Sequence, residues 1–117
     1  MNPVTRWQII ARDPAATARF YSTLFGWRID ASNALGYRQL TTGGTDGGVW
    51  PSQGEGPDMV QLFVEVDDIT ATLDAATALG ARVIVPRSVL PDGDVMAVLL
   101  DPAGLAFGLH ERRPMPT

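Results

Sequence analysis

The sequence predicts an α+β fold: two βαβββ modules related by a pseudo-twofold axis, forming a curved eight-stranded half-barrel around a cleft. Three observations lead there. Two stretches 54 residues apart follow one template: Ile10-Ala11-Arg12-Asp13 opens an alanine-rich segment ending at Gly26, and Glu65-Val66-Asp67-Asp68 opens another ending at Gly80. An internal repeat marks a duplicated supersecondary unit. Each Gly then leads into an apolar, strand-like run, Trp27-Arg28-Ile29 and Ala81-Arg82-Val83-Ile84, with further strand patterns behind it. Finally, 117 residues suit one compact domain,. A lone module of about 55 residues with one helix is marginal, so two copies sharing a core are expected. The expected organisation is a single domain over 1–117, with module one at about 4–52, a linker at 53–58 and module two at about 59–112.

The elements follow in order. Thr5 to Ala11 reads as a strand. Asp13-Pro14 starts a helix, because Asp caps free amides and Pro fits the first turn, where its missing N–H is not needed. Ala18, Tyr21, Leu24 and Phe25 recur at helical spacing as the buried face, and Gly26 supplies a left-handed stop. Short strands are expected at Trp27–Ala31, Tyr37–Thr42 and Gly48–Pro51, punctuated by Asn33, Gly36, Gly43, Gly44 and Gly47. The Gly, Pro and polar residues from Ser52 to Asp58 read as the linker. Gln61 to Val66 is a strand, and Asp67 or Asp68 caps a helix that buries Ile69, Leu73 and Ala76. Strands follow at Arg82–Val85, Val95–Leu100 and Ala106–Glu111. Asp101-Pro102-Ala103-Gly104 forms the last turn, and the tail from Arg112 reads as frayed.

Composition narrows the chemistry. Net charge is −4, which argues against a nucleic-acid partner. No basic run seeks anionic lipid, and no apolar run nears the roughly 20 residues that span a bilayer. Met1 to Arg6 lacks the apolar core of a signal peptide, so the expected location is cytoplasmic. There is no Cys and no Lys, against nine Arg. Thiolate and Schiff-base chemistry are thereby excluded. A single histidine, His110, rules out any mechanism needing two imidazoles from one chain.

Asp13-Pro14…Ala18-Arg19-Phe20-Tyr21…Leu24-Phe25-Gly26-Trp27 resembles the first-module helix of the vicinal oxygen chelate superfamily, which includes glyoxalase I, extradiol dioxygenases and bleomycin-resistance proteins. Val66-Asp67-Asp68-Ile69…Leu79-Gly80-Ala81 and Asp101-Pro102-Ala103-Gly104…Phe107-Gly108-Leu109 resemble its second module, and the likeness covers about residues 4 to 111. By that resemblance, metal ligands would fall on Arg6, Gln61, Gly108 and the stretch Gly48–Trp50. Arg offers no lone pair, Gly has no side chain, and Gln is a weak neutral donor. No metal and no cofactor are therefore expected. The resemblance also implies a homodimer, for which Trp50 would suit an interface.

Strand alternation assigns the faces. Arg6, Gln8 and Ile10 oppose Trp7 and Ile9. Gln61, Phe63 and Glu65 oppose Leu62, Val64 and Val66, and the aliphatic set is assigned to the helix. Gly108 and His110 oppose Phe107 and Leu109. The expected ligand-binding set is Arg6, Gln8, Tyr37, Trp50, Gln61, Phe63, Glu65 and His110, a polar and aromatic mix suited to a small organic molecule. Glu65 and His110 are the catalytic candidates: imidazole changes charge near neutral pH, and a carboxylate among apolar neighbours can act as a base. Glu65 can instead pair with Arg6 or another Arg. Arg6 can instead hold a ligand carboxylate or phosphate. Trp7, Trp27, Phe20, Tyr21 and Phe25 are assigned to the core. The 86–94 connection reads as a surface loop or a lid, and the run Thr42–Gly48 lacks the Lys and helix of a phosphate loop.

The expected function is a metal-independent glyoxalase/bleomycin-resistance-like protein that binds a small planar or aromatic molecule in the inter-module cleft. The alternative is a metal-free isomerase or cyclase using Glu65 or His110. A metal-dependent glyoxalase I-type lyase or dioxygenase ranks below both, and an interaction domain with a filled cleft is a further option.

Overall fold

The computed structural model describes residues 2–32, 36–52, 58–90 and 93–112. Residues 53–57 of the expected 53–58 linker, the turn residue Asn33, the tail beyond Arg112 and residues 91–92 of the 86–94 connection lie outside them. The described residues form eight strands and two helices in the order βαβββ-βαβββ, the α+β class read from the repeat. The chain divides into two compact units, Thr5–Leu62 and Phe63–Thr117 with Met1–Val4.

The first unit holds β1 (Val4–Ala11), α1 (Pro14–Phe25), β2 (Arg28–Asp30), β3 (Arg38–Thr41), β4 (Gly47–Pro51) and the start of β5 (Met59–Glu65). Its strand order is β2-β3-β4-β1, with β1 and β4 parallel and the other pairs antiparallel. The Asp13 carboxylate accepts from the Ala16 N–H at 3.1 Å, and Pro14 occupies the first turn. Gly26 ends the helix at φ 75°, a left-handed conformation that costs a residue without Cβ nothing. Ala11, Ala18, Leu40 and Val49 form the buried core, with Trp7, Ile9 and Trp27 packed against it.

The helix stripe differs from the expectation. Ala18 is buried and Tyr21 half-buried, but Phe20, Leu24 and Phe25 are exposed. α1 seats itself through the small residue Ala18 and leaves the indoles of Trp7 and Trp27, 5.7 Å apart, to fill the space beneath. Phe25 and Tyr21 reach that cluster only through Trp27, at 5.1 and 6.0 Å between ring centres.

The second unit holds the end of β5, α2 (Ile69–Ala78), β6 (Arg82–Val89), β7 (Val95–Leu100) and β8 (Ala106–Glu111). Its order is β5-β8-β7-β6, with β5 and β8 parallel and the rest antiparallel. The core comprises Val66, Ile69, Val95, Ala97, Leu99 and Leu109, joined by Val64, Leu73, Ala76, Ala81 and Phe107. Alternate residues of β7 and β8 thus face α2, as the pattern requires. Leu62 departs from its assigned aliphatic set and is exposed, so on β5 the rule holds only from Val64 onward.

Asp68, not Asp67, caps α2, accepting from the Ala71 N–H at 3.1 Å. The Glu111 carboxylate takes a second free amide, that of Ile69, at 2.8 Å. Helix starts leave four amides without intrahelical partners, and two carboxylates satisfy two of them here. With Asp13 and Asp68 as caps, Arg6 and Gln61 each lie seven residues before a cap, which tightens the repeat. β6 runs to Val89, so half of the expected 86–94 loop is strand. Pro86 lacks a ladder donor, and β6 absorbs it as the end strand of its sheet, with register shifts between Val83 and Ser88,.

Candidate functional site

In the second unit, the face opposite α2 carries Phe63, Glu65, Gly108 and His110. The β5–β8 register pairs Phe63 with Gly108 and Glu65 with His110. Phe63 is 1% exposed. Its ring lies on the Gly108 backbone: a Cβ at Gly108 would stand 2.3–2.4 Å from three ring carbons. Phe63 therefore does not offer a ring face to solvent in this unit; it fills the side-chain space of position 108.

His110 is buried, at 7% exposed. Its Nε2 lies 2.9 Å from Oδ2 of Asp94, in the connection that leads into β7. Its Nδ1 is buried with no hydrogen-bond partner among the described residues. Glu65 does pair with an arginine, and the partner is Arg112, at 3.2 Å, with side-chain exposures of 27% and 68%. So exposed a pair contributes at most about 1 kcal/mol.

In the first unit, Tyr37 and Trp50 have ring centres 4.5 Å apart at 34°. The Tyr37 ring covers Gly48 as Phe63 covers Gly108; a Cβ there would lie 2.1 Å from the phenol oxygen. Gln8 is buried and pairs with Gly48 across β1 and β4. Arg6 is half-buried and makes no salt bridge among the described residues, so its guanidinium is not spent on Glu65. Gln61 is buried, with its amide 3.4 Å from the Met59 sulfur. Asp30, outside both sets, accepts from the Ser32 hydroxyl and then the Ser32 N–H, which holds its carboxyl below the usual range. A shallow depression of about 550 Å³ on α1, lined by Ala16, Arg19, Phe20, Thr23 and Leu24, shares no residue with either set.

Two partners were not anticipated from the sequence, Asp94 and Arg112. The β5–β8 register sets Glu65 opposite His110 and so brings Arg112 diagonal to Glu65, while the β7–β8 register runs outward from the Asp101–Gly104 turn through Met96 opposite His110 and Val95 opposite Glu111. One further step sets Asp94 opposite Arg112 and diagonal to His110.

The donor set does not fit a catalytic metal. Among the described residues no group of three or more His, Asp or Glu is placed to hold one. At the positions implied by the resemblance stand a guanidinium, an amide and two glycines whose side-chain space is taken by rings. Transition metals want several N, O or S donors. No helix among the described residues is long and apolar enough to cross a membrane.

Comparison with known proteins places this geometry. A family model described as Glyoxalase-like domain matches residues 7–110. CFP32 of Mycobacterium tuberculosis, whose name gives glyoxylase as a provisional activity, is 31% identical over 108 residues, covering 85% of this chain. The chain spans only 41% of that curated relative's length. In fold it is similar to methylmalonyl-CoA epimerase from M. tuberculosis, with a TM-score of 0.67 at 15% identity over 93% of this chain and 87% of that one. It is also similar to a hypothetical protein from Bacillus halodurans C-125, with a TM-score of 0.71 at 13% identity over 99% and 98%. With its family model covering nearly every element and the βαβββ order repeated, the chain belongs to the glyoxalase-like domain family of the vicinal oxygen chelate superfamily.

Proposed function

We propose that this chain is a metal-independent member of its family that binds a small planar or aromatic organic molecule. The observation that carries this reading is the ring on the glycine. Phe63 fills the space of position 108, and Tyr37 fills that of position 48. A metal-binding relative would need a carboxylate or imidazole there. The groups left to meet a ligand are Arg6, Tyr37 and Trp50 in the first unit and Glu65 and His110 in the second, while Gln8, Gln61 and Phe63 are buried beneath them. Arg6, without a salt bridge among the described residues, suits an acidic group on the ligand. The reading includes a homodimer in the cytosol, which sedimentation and fractionation would check.

A thermal-shift screen of planar aromatic acids tests it. A ligand present at about 100 times its Kd adds about 2.7 kcal/mol to a native-state site. No shift with any planar compound would refute binding. Stoichiometric zinc, nickel or iron in protein purified without chelator would refute metal independence.

A second reading, a metal-free isomerase or cyclase, draws support from the carboxylate held against His110. Proton transfer by a positioned imidazole is the commonest form of general acid–base catalysis. Turnover that survives Glu65→Gln combined with His110→Gln would eliminate it.

A further inference from the structure

His110 is the chain's one histidine, and it is held in an unusual balance of contacts. Its side chain is 9% exposed, and Nε2 meets the Asp94 carboxylate at 2.9 Å. A carboxylate only accepts hydrogen bonds. In the neutral ring the proton therefore sits on Nε2, directed at Asp94, and Nδ1 presents a bare lone pair.

That lone pair is buried and unmatched among the described residues. Buried acceptors are almost always satisfied, and one left over asks for an explanation. The strand partners of His110 cannot supply a donor. Glu65 is a carboxylate engaged with Arg112, and Met96 carries a thioether. Phe63 and Gly108, two residues along on the same face, are apolar.

We propose that Asp94 and His110 form a ligand-binding pair. Nδ1 accepts a hydrogen bond from a hydroxyl or N–H group of the small molecule, and Asp94 is the positioning residue that keeps Nδ1 bare. The proposal rests on the small-molecule reading above and adds to it the group the ligand presents. At this point of the protein the ligand offers a donor, not a carboxylate. A phenol, catechol or enol meets the requirement, because its hydroxyl donates to a bare lone pair.

The single histidine makes the test clean. Protein labelled with ¹⁵N-histidine gives one pair of imidazole nitrogen signals by long-range ¹H–¹⁵N NMR, recorded at about pH 8, above the ordinary imidazole range. The expected free state has Nε2 protonated and Nδ1 bare. Phenol, catechol and 4-hydroxybenzoate are then titrated beside anisole, veratrole and 4-methoxybenzoate. The hydroxyl compounds are expected to shift the Nδ1 signal and to bind at least tenfold more tightly than their methyl ethers. Asp94→Asn, whose amide can donate to Nε2, is expected to move the proton to Nδ1 and abolish that preference. A purely structural role for Asp94 would lower Tm and leave the preference intact.

A protonated Nδ1 in the free wild-type protein overturns the proposal without any variant. So does a series in which hydroxyl compounds and ethers bind alike, or bind without moving Nδ1, the result expected if only a resident water satisfies that atom; the small-molecule reading then survives. If thermal shift shows that neither series binds, this proposal falls, and the small-molecule reading falls with it when the wider screen of planar compounds is also flat.

Discussion

Replacing Gly108 by Ala adds one methyl group where the Phe63 ring already lies. The new carbon would stand 2.3–2.4 Å from Cδ2, Cε2 and Cζ of that ring, more than 1 Å inside the 3.5–4.0 Å optimum for carbon pairs. The backbone at Gly108 is not in the left-handed region, so the methyl itself, and not the backbone, is the source of strain. Phe63 is 1% exposed and cannot swing aside into solvent. Overpacking of this kind costs about 1–3 kcal/mol. For a chain of this size, Tm falls by roughly 4 °C per kcal/mol, so a drop of roughly 4–12 °C is expected by calorimetry or circular dichroism. The cause is isolated by a double-mutant cycle with Phe63→Leu. Removing the ring should relieve the clash, making the pair less destabilised than the sum of its parts by at least about 1 kcal/mol. Additive losses, or an unchanged Tm in Gly108→Ala, would refute the ring-on-glycine account. They would also remove the main support for metal independence, since the same space is needed by any ligating side chain at position 108.

Three further outcomes follow from the geometry. Gly48→Ala should destabilise the first unit by a similar 1–3 kcal/mol and shift tryptophan fluorescence, because Tyr37 would be pushed against Trp50 at its 4.5 Å contact. Asp68→Ala should lower stability by about 0.5–2 kcal/mol in urea melts, and Asp67→Ala should leave it within about 0.5 kcal/mol, because only Asp68 holds the Ala71 amide. Arg112→Ala should change stability by no more than about 1 kcal/mol, the exposed pair with Glu65 being well hydrated; a larger loss would show that this ion pair is structural.

Much of the fold was legible because it rests on local signals. Asp13-Pro14 and Gly26 bracket α1 through backbone chemistry that depends on no distant contact, and the Asp101–Gly104 turn fixed β7 and β8 to the residue. The side chains of α1 were read less well. Phe20, Leu24 and Phe25 are large and apolar, yet burial went to Ala18 and the two indoles, since helix–sheet distance rewards a small residue at the contact. Periodicity names a stripe but does not measure that gap. Pro86 suggested a loop, and its place in the end strand of a sheet removed the objection. In the candidate site, the chemical types at Arg6, Gln61 and Gly108 were readable directly. That a ring would occupy the glycine space was not, because it depends on a cross-strand register. The Asp94–His110 contact was recoverable from the hairpin count and was missed because Asp94 was grouped with the loop before it.

The strand orders carry a consequence for how this protein is made. In each βαβββ repeat the last strand to leave the ribosome is an interior one: β4 lies between β3 and β1, and β8 between β7 and β5. Until β8 emerges, β5 and the β6–β7 hairpin have no shared ladder, and the amide of Ile69 waits for Glu111, 42 residues later. Non-local parallel pairing is slow to form. A nascent chain halted before Ala106 would therefore expose two unpaired strand flanks at once, and such flanks are what chaperones and aggregates recognise. Pairing across β8 is thus the step on which the ladder between β5 and the β6–β7 hairpin waits.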